Sequence, residues 1–219
     1  MTHKMPSAVR DRAVQIANHE MAHYVVARAL GFETGGVSLT VSMDLSHRGG
    51  ATITLARPIV SMQGMKAYLQ ARVIILFAGV MGQTLNTRRA AGKRVDKAHA
   101  LAILRGEFGA EKDYAKIREL RHLLRNIEHP GTDAGSSRLL AAELKAINDH
   151  LWLRTQNIVD TLAETIIELA SVLVEGMTLV EQWGRAAETY EGELTREALE
   201  RLELVQKIAR VAPRNTTQG

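Results

Sequence analysis

Apolar residues recur at helical spacing over most of the chain. A first helix is predicted from Ser7, with Val9, Ala13 and Ile16 on one face, to a stop at Gly31. A second helix is predicted over 61–85, and its apolar second half is expected to be buried on most sides. Further helical patterns follow at 95–105, 111–127, 137–175, 179–190 and 195–211.

Strict alternation of apolar and polar residues replaces the helical period after the first helix. Val37, Leu39 and Val41 alternate with hydroxyl side chains, and alternation returns over 51–55. The His-Arg-Gly-Gly sequence at 47–50 is typical of a turn, so two strands joined there are predicted, with His47 as a turn histidine. The predicted fold class is therefore mainly α (α+β), with a small sheet after the first helix and a helical C-terminal part.

A single domain is expected, because 219 residues support one sizeable core. The predicted organisation is a core over 1–128, a linker over 129–136, a helical part of the same domain over 137–212 and a disordered tail over 213–219. Apolar positions on the C-terminal helices either mediate homo-oligomerisation or close the domain. These positions are Ile158, Leu162, Ile166, Leu169 and Leu173.

Composition narrows the class of protein. A hydrophobic fraction of 46% with 24% charged residues is typical of a soluble globular chain. The absence of cysteine leaves His, Asp and Glu as the ligands for any zinc ion. The most apolar run, 73–81, is shorter than the roughly 20 residues that a spanning helix needs. With no signal-peptide pattern at the start, a cytoplasmic protein without a membrane span is expected.

The formal charge of +4 raises the possibility of nucleic-acid binding, because clustered Lys and Arg bind phosphates. The basic residues form two thin clusters, at 88–97 and 118–125. No recognised nucleic-acid-binding motif accompanies them, so they are interpreted as solvated loop and helix faces.

A short motif in the first predicted helix carries the clearest chemical signal. His19 and His23 are four residues apart, just over one helical turn, so both imidazoles lie on one face and can bind one metal ion. Glu20 follows the first histidine, where its carboxylate can accept a proton from a metal-activated water molecule. This spacing predicts a zinc metallopeptidase with His19 and His23 as ligands and Glu20 as the general base.

Several segments together resemble the peptidase domain of the FtsH family of AAA+ zinc proteases and its small ATPase-free relatives. The motif helix matches the family's His-Glu-Ala-Gly-His-Ala pattern through Asn-His-Glu-Met-Ala-His-Tyr-Val-Val-Ala. A strand pair, a Leu-Phe-Ala-Gly-Val-Met-Gly-Gln helix, a Gly-Ala-Glu-Lys-Asp-Tyr-Ala segment and a helix leading into Thr-Leu also match. These segments lie at 18–27, 37–39 with 50–52, 76–83, 109–117 and 168–179.

The resemblance implies a zincin-like helical peptidase domain that hydrolyses protein or peptide substrates with Zn²⁺. It also implies that a later aspartate is the third metal ligand. Asp113 is the favoured candidate, because the glycine turn before it would start a helix with the carboxylate in its first turn. Asp96 is the competitor, because its distance from His19 is nearer to that of the ATPase-linked members.

Three departures from the family pattern affect this expectation. Ala22 stands where the family has Gly, Gln83 stands where it has Glu, and no ATPase module accompanies the motif. Proteolysis is therefore expected to be independent of ATP. The alternative hypothesis is a non-catalytic module that uses the same fold to bind a protein partner.

Overall fold

The computed structural model describes residues 5–85, 93–106, 110–131, 135–180 and 188–211. Within these ranges the chain forms eight helices and one four-stranded antiparallel sheet, which confirms the predicted mainly α fold class. In chain order the elements are α1 Ser7–Ala29, β1 Glu33–Ser42, β2 His47–Thr54, α2 Met62–Gln83, α3 Lys97–Arg105, α4 Glu111–Glu128, α5 Ser137–Thr161, α6 Ala163–Glu175, β3 Thr178–Val180, β4 Thr189–Leu194, α7 Arg196–Arg201 and α8 Glu203–Gln206.

Helix α1 is the central element of the core. It packs against α2, α6 and strands β1 and β2, and every residue from Ile16 to Ala27 is buried. Polar residues of α1 therefore lie inside the protein along with the apolar ones. Buried polar groups are costly unless they are hydrogen-bonded or paired, so those on α1 require partners from the surrounding elements.

Helices α1 and α2 approach each other closely at a pair of small residues. A methyl group at Gly82 would collide with the side chain of Ala22 and would lie 2.5 Å from the carbonyl oxygen of Asn18. The methyl group of Ala22 is thus accommodated because the facing helix has no side chain at that level. The two helices can therefore approach closely, with glycine on α2 facing alanine on α1.

The sheet has the strand order β2-β1-β4-β3, which places β2 at an edge. Val37, Leu39 and Val41 of β1 are buried, as their alternation predicts. The prediction of a turn at 47–50 was wrong, because β2 already begins at His47, which pairs with Val41. The turn occupies 43–46 instead, so the two glycines lie within the strand.

The prediction of a helix over 179–190 was also wrong for the described residues of that segment. They form β3 and the start of β4, and β4 pairs along β1 from Val37 to Ser42. Residues 181–187 lie outside the described residues. The second edge of β1 offers backbone donors and acceptors that β4 satisfies, and such long-range pairing overrides the local helical period.

The predicted C-terminal helices are each divided in two. The run 137–175 breaks at Leu162 into α5 and α6, and the run after Thr195 forms α7 and α8. Thr195 caps α7, since its hydroxyl accepts a hydrogen bond from the backbone N–H of Ala198 at 3.2 Å. The predicted tail, 213–219, and part of the predicted linker, 132–134, lie outside the described residues.

The apolar face of the C-terminal helices is used inside the chain. Ile158, Ile166, Leu169 and Leu173 are all buried, and α6 packs on α1 while α5 packs on α2. Helix α2 is long and apolar enough by length and composition to cross a membrane. Its second half is almost continuously buried from Leu69 to Gln83 against α1, α4 and α5, as a core helix of a folded domain would be.

We expect Gly82→Ala to destabilise the protein by about 1–3 kcal/mol, because the added methyl group overpacks the contact with Ala22 and Asn18. Urea unfolding of the metal-free protein measures the effect. Gly64→Ala is the matched control in the same helix, where the new methyl group would meet the exposed Ser61 hydroxyl at 3.3 Å and Ile59 Cγ2 at 3.9 Å. Because alanine favours helix, this control should be neutral or stabilising by up to about 1 kcal/mol. Equal effects at the two positions would contradict the close approach.

Candidate metal centre

Three side chains from two helices converge at one point beside α2. His19 and His23 project from α1, and Asp113 projects from the first turn of α4. The two Nε2 atoms are 3.1 Å apart, and Asp113 Oδ2 lies 3.0 Å from His23 Nε2 and 3.4 Å from His19 Nε2. The three residues predicted as metal ligands are therefore brought together.

The outer nitrogen of each imidazole is held by α2. His23 Nδ1 donates a hydrogen bond of 2.7 Å to the carbonyl oxygen of Ile75, and His19 Nδ1 donates one of 3.2 Å to Gln83 Oε1. A carbonyl oxygen can only accept, so it fixes the tautomer of His23 with its proton on Nδ1. In their neutral forms both rings then direct a nitrogen lone pair at the carboxylate of Asp113, and three electron-pair donors face one another.

The convergence of donors fits a tetrahedral metal ion. Zinc bonds to nitrogen and oxygen of about 2.0–2.1 Å at tetrahedral angles would place neighbouring ligand atoms about 3.3 Å apart. The observed separations of 3.0–3.4 Å fall around that value. Gly79 of α2 keeps the same region free, since a methyl group there would collide with the His23 ring and lie 2.7 Å from His19 Nε2. The donor set and the space left by Gly79 both suit a small dication.

Asp113 and the two imidazoles stabilise one another electrostatically. Burial alone would raise the pKa of Asp113, but hydrogen bonds from His19 and His23 and the charges of both rings hold it far below its ordinary range. Burial would lower the pKa of His23, but the hydrogen bond and charge of Asp113 raise it above its ordinary value, with help from Glu20. A cation bound between the two rings and the carboxylate could take over this electrostatic stabilisation.

Asp96, the alternative third ligand, has a different role. It is the N-cap of α3, and its Oδ1 accepts a hydrogen bond of 3.0 Å from the backbone N–H of His99. Its own backbone N–H donates to the Thr84 hydroxyl at 3.1 Å. The carboxylate is therefore engaged in capping a helix, and Asp113 is the aspartate that meets the two histidines.

Glu20, the predicted base, is buried next to the cluster and faces strand β2. A methyl group on Gly49 would lie 2.7 Å from Glu20 Oε1 and 2.8 Å from its Cγ. A side chain at position 49 would therefore displace the carboxylate. Glycine is required here for the close approach of strand and carboxylate, which explains why the sequence carries it inside a strand.

A cleft of about 320 Å³ opens over the cluster. Its floor is formed by the two histidines, Glu20 and Asp113, and one side by β2 from Gly49 to Ile53, continuing to Leu55. Within the described sheet β2 is paired only with β1, so its other edge is free beside the cleft. The remaining lining residues come from α2 and α4 and are Arg72, Ile75, Leu76, Lys112 and Lys116.

His47 lies near the site but does not line the cleft. Its Nδ1 is 3.3 Å from a guanidinium nitrogen of Arg12 on α1. Partial burial, followed by the charges of Arg12 and His19, lowers the pKa of His47. The prediction that it is a turn residue was wrong, and it belongs instead to the first residue pair of β2.

Several residues that shape the site were not identified from the sequence as part of it. Gly79, Gln83 and the carbonyl of Ile75 lie on one face of α2, which the sequence analysis interpreted as core scaffold, with Gln83 noted only as a departure from the family's Glu. Glycines at 79 and 82 within an apolar helix were the available signal, because mid-helix glycine often marks close packing. The sequence at Gly49 was misleading, since a Gly-Gly pair ordinarily predicts a turn and not a position within a strand.

Neither a scan against protein-family models nor a search of curated proteins finds a match for this chain.

We expect Asp113→Asn to weaken zinc binding by more than about 100-fold, the upper range for losing an outer-shell partner, because it removes a charged ligand atom. Competition with a chromophoric chelator measures the affinity. Asp96→Asn is the matched control, and it should bind zinc normally and keep α3 stable, because asparagine also caps helices well. Normal zinc affinity in the Asp113 variant would contradict its place among the ligands.

We expect Gln83→Leu to weaken zinc binding by about 10- to 100-fold, because His19 loses the acceptor that orients its ring. The same chelator competition applies. Gln156→Leu provides the control, since Gln156 is equally buried, at 9% exposure, but bonds to Asp160 on α5. If both variants bind zinc equally well, the hydrogen bond to His19 has no part in holding the metal.

Proposed function

We propose that the protein is a zinc-dependent metallopeptidase that acts independently of ATP. The observation that carries the proposal is the convergence of His19 Nε2, His23 Nε2 and Asp113 Oδ2 within 3.4 Å of one another, beside the carboxylate of Glu20. Two histidines and one carboxylate are a donor set that leaves a fourth tetrahedral position for water or substrate. The resemblance of the motif helix to the FtsH peptidase family agrees with this reading.

His19, His23 and Asp113 would hold the ion, and zinc there supplies a Lewis acid that polarises a peptide carbonyl and acidifies water. Glu20 takes a proton from the attacking water as its oxygen bonds to the carbonyl carbon. The same carboxylate then delivers that proton to the amide nitrogen as the carbon–nitrogen bond breaks. Burial of Glu20 between α1 and Gly49 fixes its position, which favours rapid proton transfer.

The substrate of this reaction is a protein or peptide segment in extended form. The free edge of β2 runs along the cleft, and an extended chain can pair with it by backbone hydrogen bonds. Gly50 supports this arrangement, because its Cβ position has no neighbour within 4 Å and leaves room beside the strand. Backbone pairing would hold the scissile carbonyl near Glu20 with little dependence on substrate side chains.

We expect Glu20→Gln to retain zinc and lose at least about 100-fold of the hydrolysis of an unfolded protein such as casein, because the amide cannot accept the proton. Elemental analysis measures the bound zinc, and release of labelled peptide measures hydrolysis. His19→Ala is the companion variant, and it should lose both zinc and activity.

The outcomes separate the proposal from its alternative. Turnover by Glu20→Gln at the rate of the unchanged protein would remove Glu20 from the mechanism. Zinc bound by the unchanged protein without hydrolysis of any peptide offered would favour a non-catalytic interaction module. Absence of bound zinc after reconstitution would overturn the metal centre itself.

A further inference from the structure

The cleft has a basic wall that the proposed reaction does not use. Arg72 projects from α2, and Lys112 and Lys116 project from the first two turns of α4. Lys116 lies 3.8 Å from Asp113 Oδ1, so its charge is partly matched. Arg72 and Lys112 form no ion pair with any residue in the part of the chain that the structure describes.

Arg72 is the more unusual of these cations because it is only partly hydrated. Its side chain is half-buried on the cleft wall, and burial lowers the pKa of its guanidinium, although Tyr68 and the negative charge of Asp113 act in the opposite direction. Placing a charge in a partly desolvated position without a paired counter-charge is unfavourable. A bound anion would relieve that cost.

The charges around the cleft favour a negative ligand. Glu20 and Asp113 contribute two negative charges, while Arg72, Lys112 and Lys116 contribute three positive ones. A dication held by the histidines and Asp113 would make the local excess more positive. The guanidinium of Arg72 also offers a planar fork of N–H donors that matches both oxygens of a carboxylate.

We propose that Arg72, assisted by Lys112, recognises a carboxylate of the substrate peptide, which makes the protein selective for acidic peptides. This inference rests on the proposed peptidase function. The carboxylate comes from an Asp or Glu side chain or from the C-terminus of a short substrate. Both sources present the same two oxygens to the guanidinium.

The position of Arg72 sets the distance between the recognised carboxylate and the bond that is cleaved. Arg72 precedes Gly79, which faces the two metal-binding nitrogens, by seven residues, or about 10 Å along the helix axis. An extended peptide advances about 3.3 Å per residue. The carboxylate is therefore expected two to four residues from the scissile bond.

Peptide binding tests this inference separately from catalysis. The probes are fluorescein-labelled octapeptides of Ala, Leu and Gly in three forms: an amidated peptide with one Gln, the same peptide with Glu at that position, and the Gln peptide with a free C-terminus. The Gln or Glu is scanned through the peptide. Affinities are measured by fluorescence anisotropy on the zinc-loaded Glu20→Gln protein, which holds peptides without cleaving them.

We expect the favoured carboxylate peptide to bind about 10- to 100-fold more tightly than its neutral counterpart, as a charge-assisted hydrogen-bond pair provides. Arg72→Gln should reduce this ratio to near 1. Arg72→Lys should keep part of it, because the charge remains but the fork is lost. Arg138→Gln, which removes an exposed charge on α5, is the control for net charge and should leave the ratio unchanged.

Each result bears on one claim. Preference for the Glu peptide identifies a side-chain carboxylate, and preference for the free C-terminus identifies a terminal one. The inference is overturned if the ratio of acidic-peptide to neutral-peptide affinity is near 1, or if Arg72→Gln leaves that ratio intact. In either case the peptidase proposal still stands, provided that the unchanged protein binds zinc and cleaves the neutral peptide. Failure to bind zinc or to cleave any of the peptides overturns both.

Discussion

The hydrogen bond from His23 Nδ1 to the carbonyl oxygen of Ile75 is the constraint on which the rest of the site depends. It is short, at 2.7 Å, and buried, and it ties the central helix α1 to a main-chain atom of α2 that cannot act as a donor. The tautomer of His23 is therefore set by the fold and not by its ligand. Gly79, one turn after Ile75, makes this possible because any side chain there would occupy the space of the imidazole. The packing of two helices thus determines where a nitrogen lone pair points.

The polar residues of α1 are tolerated in the core because each neighbouring element supplies something different. Helix α2 contributes hydrogen-bond acceptors to both histidines, α4 contributes the carboxylate of Asp113, and β2 contributes space for Glu20 at Gly49. The two histidines and Asp113 are held rigidly by these hydrogen bonds, because moving one of them leaves another buried and unsatisfied. Rigidity of the ligands and of the adjacent carboxylate is also what a catalytic metal centre requires.

The sequence was most informative where the chemistry is local. His19, Glu20 and His23 follow from one helical turn, and the aspartate that the sequence favoured, Asp113, is the one that lies against both histidines in the structure. It was least informative where two distant segments decide the outcome. Gln83 lies 64 residues from His19, and Gly49 leaves space for Glu20 from a different element, so neither role leaves a local pattern in the sequence. The helix prediction for 179–190 was wrong for the same reason, because strand β4 forms by pairing with the distant strand β1.

The neutral partner at position 83 has an electrostatic consequence for the cleft. An amide at Gln83 orients His19 as a carboxylate would, but it adds no negative charge to the outer side of the ligands. A dication bound by two neutral imidazoles and one aspartate leaves one net positive charge. The single negative charge of Glu20 neutralises it and leaves no excess. Arg72 and Lys112 then have no ion-pair partner among the residues that the structure describes, and their positive field extends into the cleft that they line. A substrate that carries its own negative charge is the simplest way to complete that balance.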